Sequence, residues 1–265
     1  LTENSIGKLF ISGIGVGALQ MILYVILVTI ICTIKPEYGP RGPKFEFKYK
    51  LKTLVKILPI MCLMLLVLGG IYGGFFTTTE AGAVGALGSV LISLAFRQLT
   101  VKKFTKALKD TAVLCGMVFF LIAATYLFVT FMSLSRVPMW LATLITSLTV
   151  PKWVIAAALV VLYFILGMFL PETPMVALTI PVFYTALIKI GFDPIWLGAF
   201  VVKLMAAGSI SPPVGMCAFT MAGVSGIRVD KIFKGVIPFL AVDVVILVLM
   251  ILFPGIATYL PSLMK

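Results

Sequence analysis

Residues 197–220 read LGAFVVKLMAAGSISPPVGMCAFT, an apolar stretch that is long enough to cross a bilayer but is interrupted in its middle. Pro212 and Pro213 remove two backbone donors, and Pro212 disfavours helical geometry at Ser211. Inside hydrocarbon, non-helical backbone survives only where protein or a water-lined cavity satisfies its polar groups. Secondary transporters hold ions and substrates at discontinuous helices of this kind. The interruption therefore favours a transporter over the other interpretation, a proline kink in a structural helix.

The composition of the 265 residues is typical of a membrane protein, with 62% hydrophobic residues, 11% charged residues and a mean hydropathy of +1.20. The net charge of +12 does not indicate nucleic acid, because most Lys and Arg residues lie in 35–56, 97–109 and 228–234. Basic loops mark the cytoplasmic side, with a secondary attraction to anionic membrane lipid. The segments that we then expect outside are 1–9, 132–152, 191–194 and the C-terminus.

Side chains with catalytic chemistry are sparse in this sequence. It has no histidine, which removes the commonest general base and metal ligand. The four cysteines lie in apolar segments without disulfide or metal-ligand spacing, so we interpret them as small hydrophobic residues. A repeated polar stripe that could line a pore is also missing. We therefore expect neither an enzyme nor a channel, and no cofactor.

Two segments leave their secondary structure open. The alternation over 44–50 suits a short strand, whereas basic residues beside Phe, Tyr and Leu across 44–58 suit a helix lying in the membrane interface. Further on, two apolar arms, 153–170 and 175–190, are joined by Pro171-Glu172-Thr173-Pro174. Each arm is near the lower length limit for crossing a bilayer, so either two short spans or one re-entrant hairpin fits.

An internal echo links the two ends of the chain. Residues 4–14 and 226–237 both carry Lys, then Ile or Leu, then Phe, followed by a Gly-aliphatic pair, and each leads into a long apolar span. The charge-derived topology puts the two copies on opposite sides of the membrane, as inverted repeats require. On this interpretation residue 1 follows the broken helix of the first repeat. We therefore expect residues 1–265 alone to give no substrate uptake.

Four segments together resemble the large membrane subunit of tripartite ATP-independent periplasmic (TRAP) transporters: GGIYGGFFTTTEAGAVGA (69–86), ILGMF (165–169), TIPVFYTALIKIGFDPIWLG (179–198) and GSISPPVGMCAFTMAGVSGI (208–227). The resemblance covers essentially the whole chain, in the family's order. It implies an all-α, polytopic helical bundle in the bacterial inner membrane. This chain would supply the second inverted repeat of an elevator-type ion transporter, with a re-entrant hairpin and a broken helix.

The same resemblance implies a function. A sodium gradient would drive import of an organic acid such as a C4-dicarboxylate or sialic acid, with Na+ as the coupling ion. A periplasmic substrate-binding protein and a small four-helix membrane subunit would be the partners. The alternative is a carboxylate carrier or antiporter of a related broken-helix fold that works without a binding protein.

The resemblance also divides the chain into six parts. In chain order these are the end of the first repeat (1–34), a cytoplasmic loop with an interfacial helix (35–56), scaffold helices (57–131), a periplasmic interfacial helix (132–152), the transport part (153–227) and the last transmembrane helix (228–265).

The candidate site follows from the break and from the implied hairpin tip. Ser209 and Ser211 offer hydroxyl oxygens to Na+ beside carbonyls freed by the prolines; the other interpretation is that they only cap the broken helix. Glu172 is either a solvated turn residue or part of the cavity, and the family's usual Asp is missing there. The expected ion and substrate residues are Gly167, Glu172, Thr173, Gly208, Ser209, Ser211, Pro212, Pro213 and Gly215.

Two further groups of polar residues stand out. Thr77, Thr79 and Glu80 belong to the family's scaffold motif, although Thr78 replaces its usual proline. Thr77 and Glu80 have capping-box spacing, which favours a structural role over a direct role in transport. Lys203 and Asp243 are the ionisable residues deepest in the predicted spans. They either pair with each other, or Lys203 attracts an anionic substrate.

Overall fold

A computed structural model describes residues 2, 4–39, 47–147 and 150–263. Within these residues the chain forms helices and turns and no strand. The helices are α1 (Ile6–Ile34), α2 (Phe47–Tyr72), α3 (Thr78–Ala95), α4 (Val101–Ser135), α5 (Val137–Ser147), α6 (Lys152–Phe169), α7 (Glu172–Lys189), α8 (Pro194–Ser209), α9 (Met216–Ser225), α10 (Val229–Leu252) and α11 (Gly255–Ser262).

Five of these helices, α1, α3, α4, α6 and α10, are long and apolar enough to cross a membrane. The prediction of an all-α, multi-pass membrane protein is therefore confirmed. The predicted break is confirmed as well, because α8 and α9 are two short apolar helices where an uninterrupted span would form one long helix. The order of two inverted repeats and the elevator motion stay predictions.

The segment with two possible structures is helical where it is described. Residues 40–46 lie outside the described residues, and α2 continues without a break from Phe47 to Tyr72, with Pro59 inside it. A strand over 47–50 is therefore wrong, and the residues expected to lie in the interface join directly onto the following apolar span. Their position at a membrane surface stays a prediction.

The chain forms two compact units, 1–38 with 120–265, and 39–119. In the second unit α2 packs against α3. In the first unit α8 lies at the centre and contacts α1, α6, α7, α10 and α11. The central position of α8 explains why most of its side chains are buried among apolar neighbours, Phe200 and Leu204 completely.

Aromatic side chains fix the first half of α8. Asp193 caps its N-terminus, since Asp193 Oδ1 accepts the N–H groups of Ile195 and Trp196 at 2.9 and 2.8 Å. The ring of Trp196 stacks on Phe200 with centroids 4.5 Å apart, as residues four apart on a helix allow. Its Nε1 donates to the carbonyl of Met250 at 2.9 Å, which ties α8 to α10.

Helices α1 and α10, which contain the two echoed segments, pack against each other. Tyr24 of α1 contacts Phe239 and Asp243 of α10. Gly15, earlier in α1, lies against the carbonyl of Ile256 in α11. The contacts thus move toward the start of α1 as the chain advances through α10 and α11. Both echoed segments form the first turns of their helices, an arrangement compatible with inverted repeats.

Helices α6 and α7 form a helical hairpin. Lys152 Nζ donates to the Gly191 carbonyl at 3.0 Å, so the two open ends of the hairpin meet. Midway along the arms, the hydroxyls of Tyr163 and Thr179 lie 2.6 Å apart. The tip consists only of Leu170 and Pro171, because α7 begins at Glu172 rather than after the predicted four-residue linker.

Cysteine labelling tests the predicted topology. In the complete transporter lacking its four native cysteines, Ser135→Cys and Lys189→Cys should react with an impermeant maleimide applied from outside. Lys106→Cys should react only after the membrane is permeabilised, since basic loops stay inside. Ser135, Lys189 and Lys106 are all exposed, and Asp193 is avoided because it caps α8. If only Lys106→Cys were labelled from outside, the chain would have the opposite orientation to the one predicted.

Candidate functional site

The break between α8 and α9 has a compact backbone path. Helix α8 ends at Ser209, α9 begins at Met216, and the peptide bond between Pro212 and Pro213 is cis. Gly215 has a φ of 49°, in the left-handed region that favours glycine. A Cβ there would lie 2.9 Å from the Ser211 carbonyl oxygen. The break therefore requires glycine at this position for both conformation and space.

Both serine hydroxyls of the break make local hydrogen bonds. Ser209 Oγ donates to the carbonyl of Ala206 at 2.9 Å, and Ser211 Oγ donates to the carbonyl of Gly208 at 3.0 Å. The two side chains are 5% and 1% exposed. The capping interpretation is thus realised in the structure. Ion binding is a separate question, because a hydroxyl that donates its hydrogen keeps lone pairs that can face a cation.

The hairpin tip reaches the break. Glu172, in the first turn of α7, places Oε1 3.5 Å from Ser209 Oγ. Cys217, in the first turn of α9, donates from Sγ to the same hydroxyl at 3.6 Å. Three chain segments that are separate in sequence therefore meet at Ser209. A carboxylate in the first turn of α7 is also stabilised by the helix dipole.

Backbone contact between α6 and α8 brings the tip this close. A Cβ at Gly167 would lie 2.7 Å from Gly208 Cα, and a Cβ at Gly208 would lie 2.8 Å from the carbonyl oxygen of Tyr163. Neither position has room for a side chain. The two glycines expected in the site are therefore positioned face to face, and their role here is to allow this contact.

A cavity of about 840 Å³ opens beside the hairpin tip. Helix α7 lines it with Glu172 and Thr173, α8 with Val202 and Met205, and the second half of α4 with apolar and hydroxyl side chains. Glu172 is the one charged side chain among the described residues of its wall. Pro212, Pro213 and Gly215 lie in the break and are not among its lining residues.

The scaffold-motif residues lie in the other unit, 39–119. Thr77 accepts the N–H of Glu80 at 3.2 Å, and Glu80 Oε2 accepts the N–H of Thr77 at 2.8 Å, which confirms the predicted capping box. Thr79 is in the first turn of α3. The structure thus gives Thr77 and Glu80 a structural role at the start of α3, while a role for Thr79 in transport stays a prediction.

Lys203 and Asp243 pair with each other, which the sequence left open. Lys203 Nζ lies 2.6 Å from Asp243 Oδ1, and the side chains are 4% and 3% exposed. Two residues that the sequence analysis missed complete the cluster: Gln20 Oε1 accepts from Lys203 at 3.0 Å, and Tyr24 donates to Asp243 Oδ1 at 2.7 Å. Their only signal in the sequence is that both are polar within an otherwise apolar span.

Comparison with known proteins gives one consistent family. The sequence model described as "Tripartite ATP-independent periplasmic transporter, DctM component" matches residues 1–256. The chain is 30% identical over 262 residues to the C4-dicarboxylate TRAP transporter large permease protein DctM of Pseudomonas aeruginosa, covering 98% of this chain and 61% of that protein.

Relatives named for other substrates match over nearly the whole chain as well. Identity is 29% to the ectoine TRAP transporter large permease protein TeaC of Halomonas elongata, covering 99% of this chain and 61% of that protein. It is 28% to the sialic acid TRAP transporter permease protein SiaT of Haemophilus influenzae, covering 100% and 43% respectively. The chain thus spans about three fifths or less of the length of these relatives.

The contact between Gly167 and Gly208 predicts a stability effect. Gly167→Ala should force α6 and α8 apart and lower the free energy of unfolding by about 1–3 kcal/mol, as overpacking does. In detergent, the unfolding midpoint of the purified transporter should fall by roughly 2–4 °C per kcal/mol. Gly223→Ala in α9 is the matched control, because no atom lies within 4 Å of its Cβ position. Equal midpoints for the two variants would contradict the close contact.

Proposed function

The chain belongs to the DctM component family of the tripartite ATP-independent periplasmic transporters, and we propose that it forms the ion-binding and substrate-binding part of a sodium-coupled importer of organic acids. It is a multi-pass protein of the bacterial inner membrane. The relatives are named as permeases for C4-dicarboxylate, ectoine and sialic acid. These names support a carboxylate-bearing solute and a transport protein rather than an enzyme.

The meeting of the hairpin tip with the broken helix is the observation that carries this proposal. Glu172 and Ser209 are 37 residues apart in sequence, yet Glu172 Oε1 lies 3.5 Å from Ser209 Oγ. Two helix ends that meet in this way bring the exposed carboxylate of Glu172 to the buried hydroxyl of Ser209 and to the polar backbone groups of the break. Ions and substrates of secondary transporters bind at such points.

The break offers oxygen ligands that suit a hard cation. Each serine hydroxyl keeps at least one lone pair after it donates to a carbonyl, since Cys217 Sγ occupies only one lone pair of Ser209 Oγ. Backbone carbonyls of 209–213 would complete the ligand set, since Pro212 and Pro213 have no N–H to donate to a preceding carbonyl. The Gly208 carbonyl is already engaged by Ser211. Carbonyl and hydroxyl oxygens in a buried site favour sodium without needing histidine or cysteine.

We propose that the cavity beside the tip binds the substrate, and its negative charge supports coupling of the substrate to a cation. Glu172 is the one charged side chain among the described residues that line it. A carboxylate entering this space would meet the like charge of Glu172, which disfavours its binding. A bound sodium ion would offset that repulsion, so we propose that ion and substrate bind together beside Glu172, Thr173 and Ser209.

The remaining parts of the function follow from the family. "Tripartite" and "periplasmic" in its description support a soluble substrate-binding protein and a small membrane subunit as partners. The hairpin and broken helix would move together past a scaffold in an elevator motion. Their backbone contact at Gly167 and Gly208 supports movement as one body.

Sodium dependence tests the ion site. In proteoliposomes with the complete transporter, Ser211→Ala should raise the half-saturation concentration of sodium, because one ligand oxygen is lost. The loss of a buried polar partner, about 1–3 kcal/mol, corresponds to about 5- to 150-fold. Ser211→Thr keeps the hydroxyl and should restore most of the affinity.

Ser225→Ala is the matched control for this test. Its hydroxyl also donates to a backbone carbonyl, that of Met221 at 2.7 Å, but on the exposed end of α9. It should leave sodium activation unchanged. An unchanged half-saturation in Ser209→Ala/Ser211→Ala, with assembly intact, would mean that the hydroxyls only cap the broken helix.

Omitting the binding protein tests the partner. With the small membrane subunit present, substrate uptake should require the cognate periplasmic binding protein, and uptake of free substrate should be at background. Full sodium-driven uptake of free substrate without it would favour the alternative, a carrier that works without a binding protein. Initial uptake rates with and without the binding protein distinguish the two.

A further inference from the structure

A cluster of polar side chains joins three helices, with Lys203 and Asp243 buried and Gln20 and Tyr24 half-buried. Lys203 Nζ of α8 donates to Asp243 Oδ1 of α10 at 2.6 Å and to Gln20 Oε1 of α1 at 3.0 Å. Tyr24 of α1 donates to the same oxygen of Asp243 at 2.7 Å. The cluster contains one positive and one negative charge, so its net charge is zero.

Stability alone gives a weak reason for this ion pair. Desolvation of two charges offsets most of their attraction, and well-packed apolar replacements of buried pairs are often neutral or stabilising. Inside a bilayer the desolvation is more severe, and ionisable side chains there usually serve a function. None of the four side chains lies in the break or at the hairpin tip, so they do not act as ligands of the proposed ion.

The position of Lys203 gives it an electrostatic influence on the break. It lies six residues before Ser209 on the same helix, so their Cα atoms are about 9 Å apart along the helix axis at 1.5 Å per residue. A unit charge about 10 Å from a bound monovalent cation changes the affinity for that cation by about tenfold, if the effective dielectric constant is about 20. An unpaired Lys203 would therefore repel sodium, and Asp243 removes that repulsion.

We propose that Asp243 is the counter-ion of Lys203 for the cation site at 208–215, so that the charge balance of the Lys203–Asp243–Gln20–Tyr24 cluster sets the sodium affinity of the break. This inference rests on the proposed function. Lys203 and Asp243 are positioning residues here, since they act on the ion through the field and not by contact. On this proposal Asp243 balances the charge of Lys203, so that an anionic substrate would meet no net positive charge there.

Variants of opposite charge distinguish this role from a structural one. Asp243→Asn leaves Lys203 unbalanced and should raise the half-saturation concentration of sodium about tenfold. Lys203→Met leaves Asp243 unbalanced and should lower it by a similar factor. Lys203→Met/Asp243→Asn should return it to within about twofold of the unsubstituted transporter. A structural role predicts that both single variants are impaired in the same direction.

A milder variant serves if the single changes prevent folding. Gln20→Glu keeps the size and the acceptor oxygen that faces Lys203 Nζ, and it gives the cluster a net negative charge. It should lower the sodium half-saturation concentration several-fold. Gln20→Met removes the acceptor without adding charge and is the matched control, for which no shift toward tighter binding is expected.

Two measurements separate the possible outcomes. Initial uptake against sodium concentration is measured in proteoliposomes with the complete transporter, and the unfolding midpoint of the purified transporter is measured against sodium in detergent. Shifts of opposite sign support the proposal; equal sodium curves for Gln20→Glu and Gln20→Met overturn it. If the unsubstituted transporter shows no sodium dependence in either assay, the proposed function itself is wrong. A sodium-dependent transporter that responds to Ser211→Ala but not to these charges refutes only the counter-ion role.

Discussion

The constraint on which this structure depends is that a backbone without helical hydrogen bonds must be enclosed when it lies among apolar side chains. Pro212 and Pro213 end α8 within what would otherwise be one span. Polar backbone groups at the C-terminal end of α8 are then satisfied locally. The carbonyl of Gly208 accepts both the N–H and the hydroxyl of Ser211, each at 3.0 Å. The central position of α8, with neighbours along its whole length, follows from this need for enclosure.

Glycine makes the enclosure possible on the side of the hairpin. Helix α6 approaches the end of α8 at Gly167 and Gly208, where a methyl group on either residue would collide with the other backbone. This approach also brings the start of α7, and with it Glu172, to Ser209. The contact between Gly167 and Gly208 therefore both encloses the break and assembles the proposed site. A substitution that disturbs this packing should also disturb binding.

The features predicted from the sequence are those that short stretches determine. The break follows from two adjacent prolines, the two arms from apolar stretches on either side of a proline-rich turn, and the capping box from the spacing of Thr77 and Glu80. Whether the two arms cross the membrane or re-enter it stays a prediction. Secondary structure over 44–58 was ambiguous, because alternation and helical amphipathicity overlap there, and α2 takes the helical solution from Phe47. These signals are local, and local geometry limits how they can fold.

The contacts that remained open are long-range. Lys203 and Asp243 are 40 residues apart, and Tyr24 and Asp243 are 219 apart, so no spacing in the sequence relates them. These pairs form only when particular apolar helix faces pack together. The sequence does not show which faces those are, because the apolar faces of the helices have similar composition. For the same reason the position of Glu172 near Ser209 depends on the contact at Gly167 and Gly208, not on the local pattern of the tip.

The two interpretations of the break serines prove to be compatible in chemical terms. The carbonyls at the end of a helix need the hydrogen of a hydroxyl, whereas a cation needs its lone pairs. Ser209 and Ser211 direct their hydrogens to the carbonyls of Ala206 and Gly208. Donating the hydrogen to a carbonyl even increases the electron density left on the oxygen. The hydrogen bonds that cap the broken helix thus orient the hydroxyl oxygens before any ion arrives. A site preorganised in this way would require little rearrangement to bind sodium, and the charges around it, rather than further ligands, would then set its affinity.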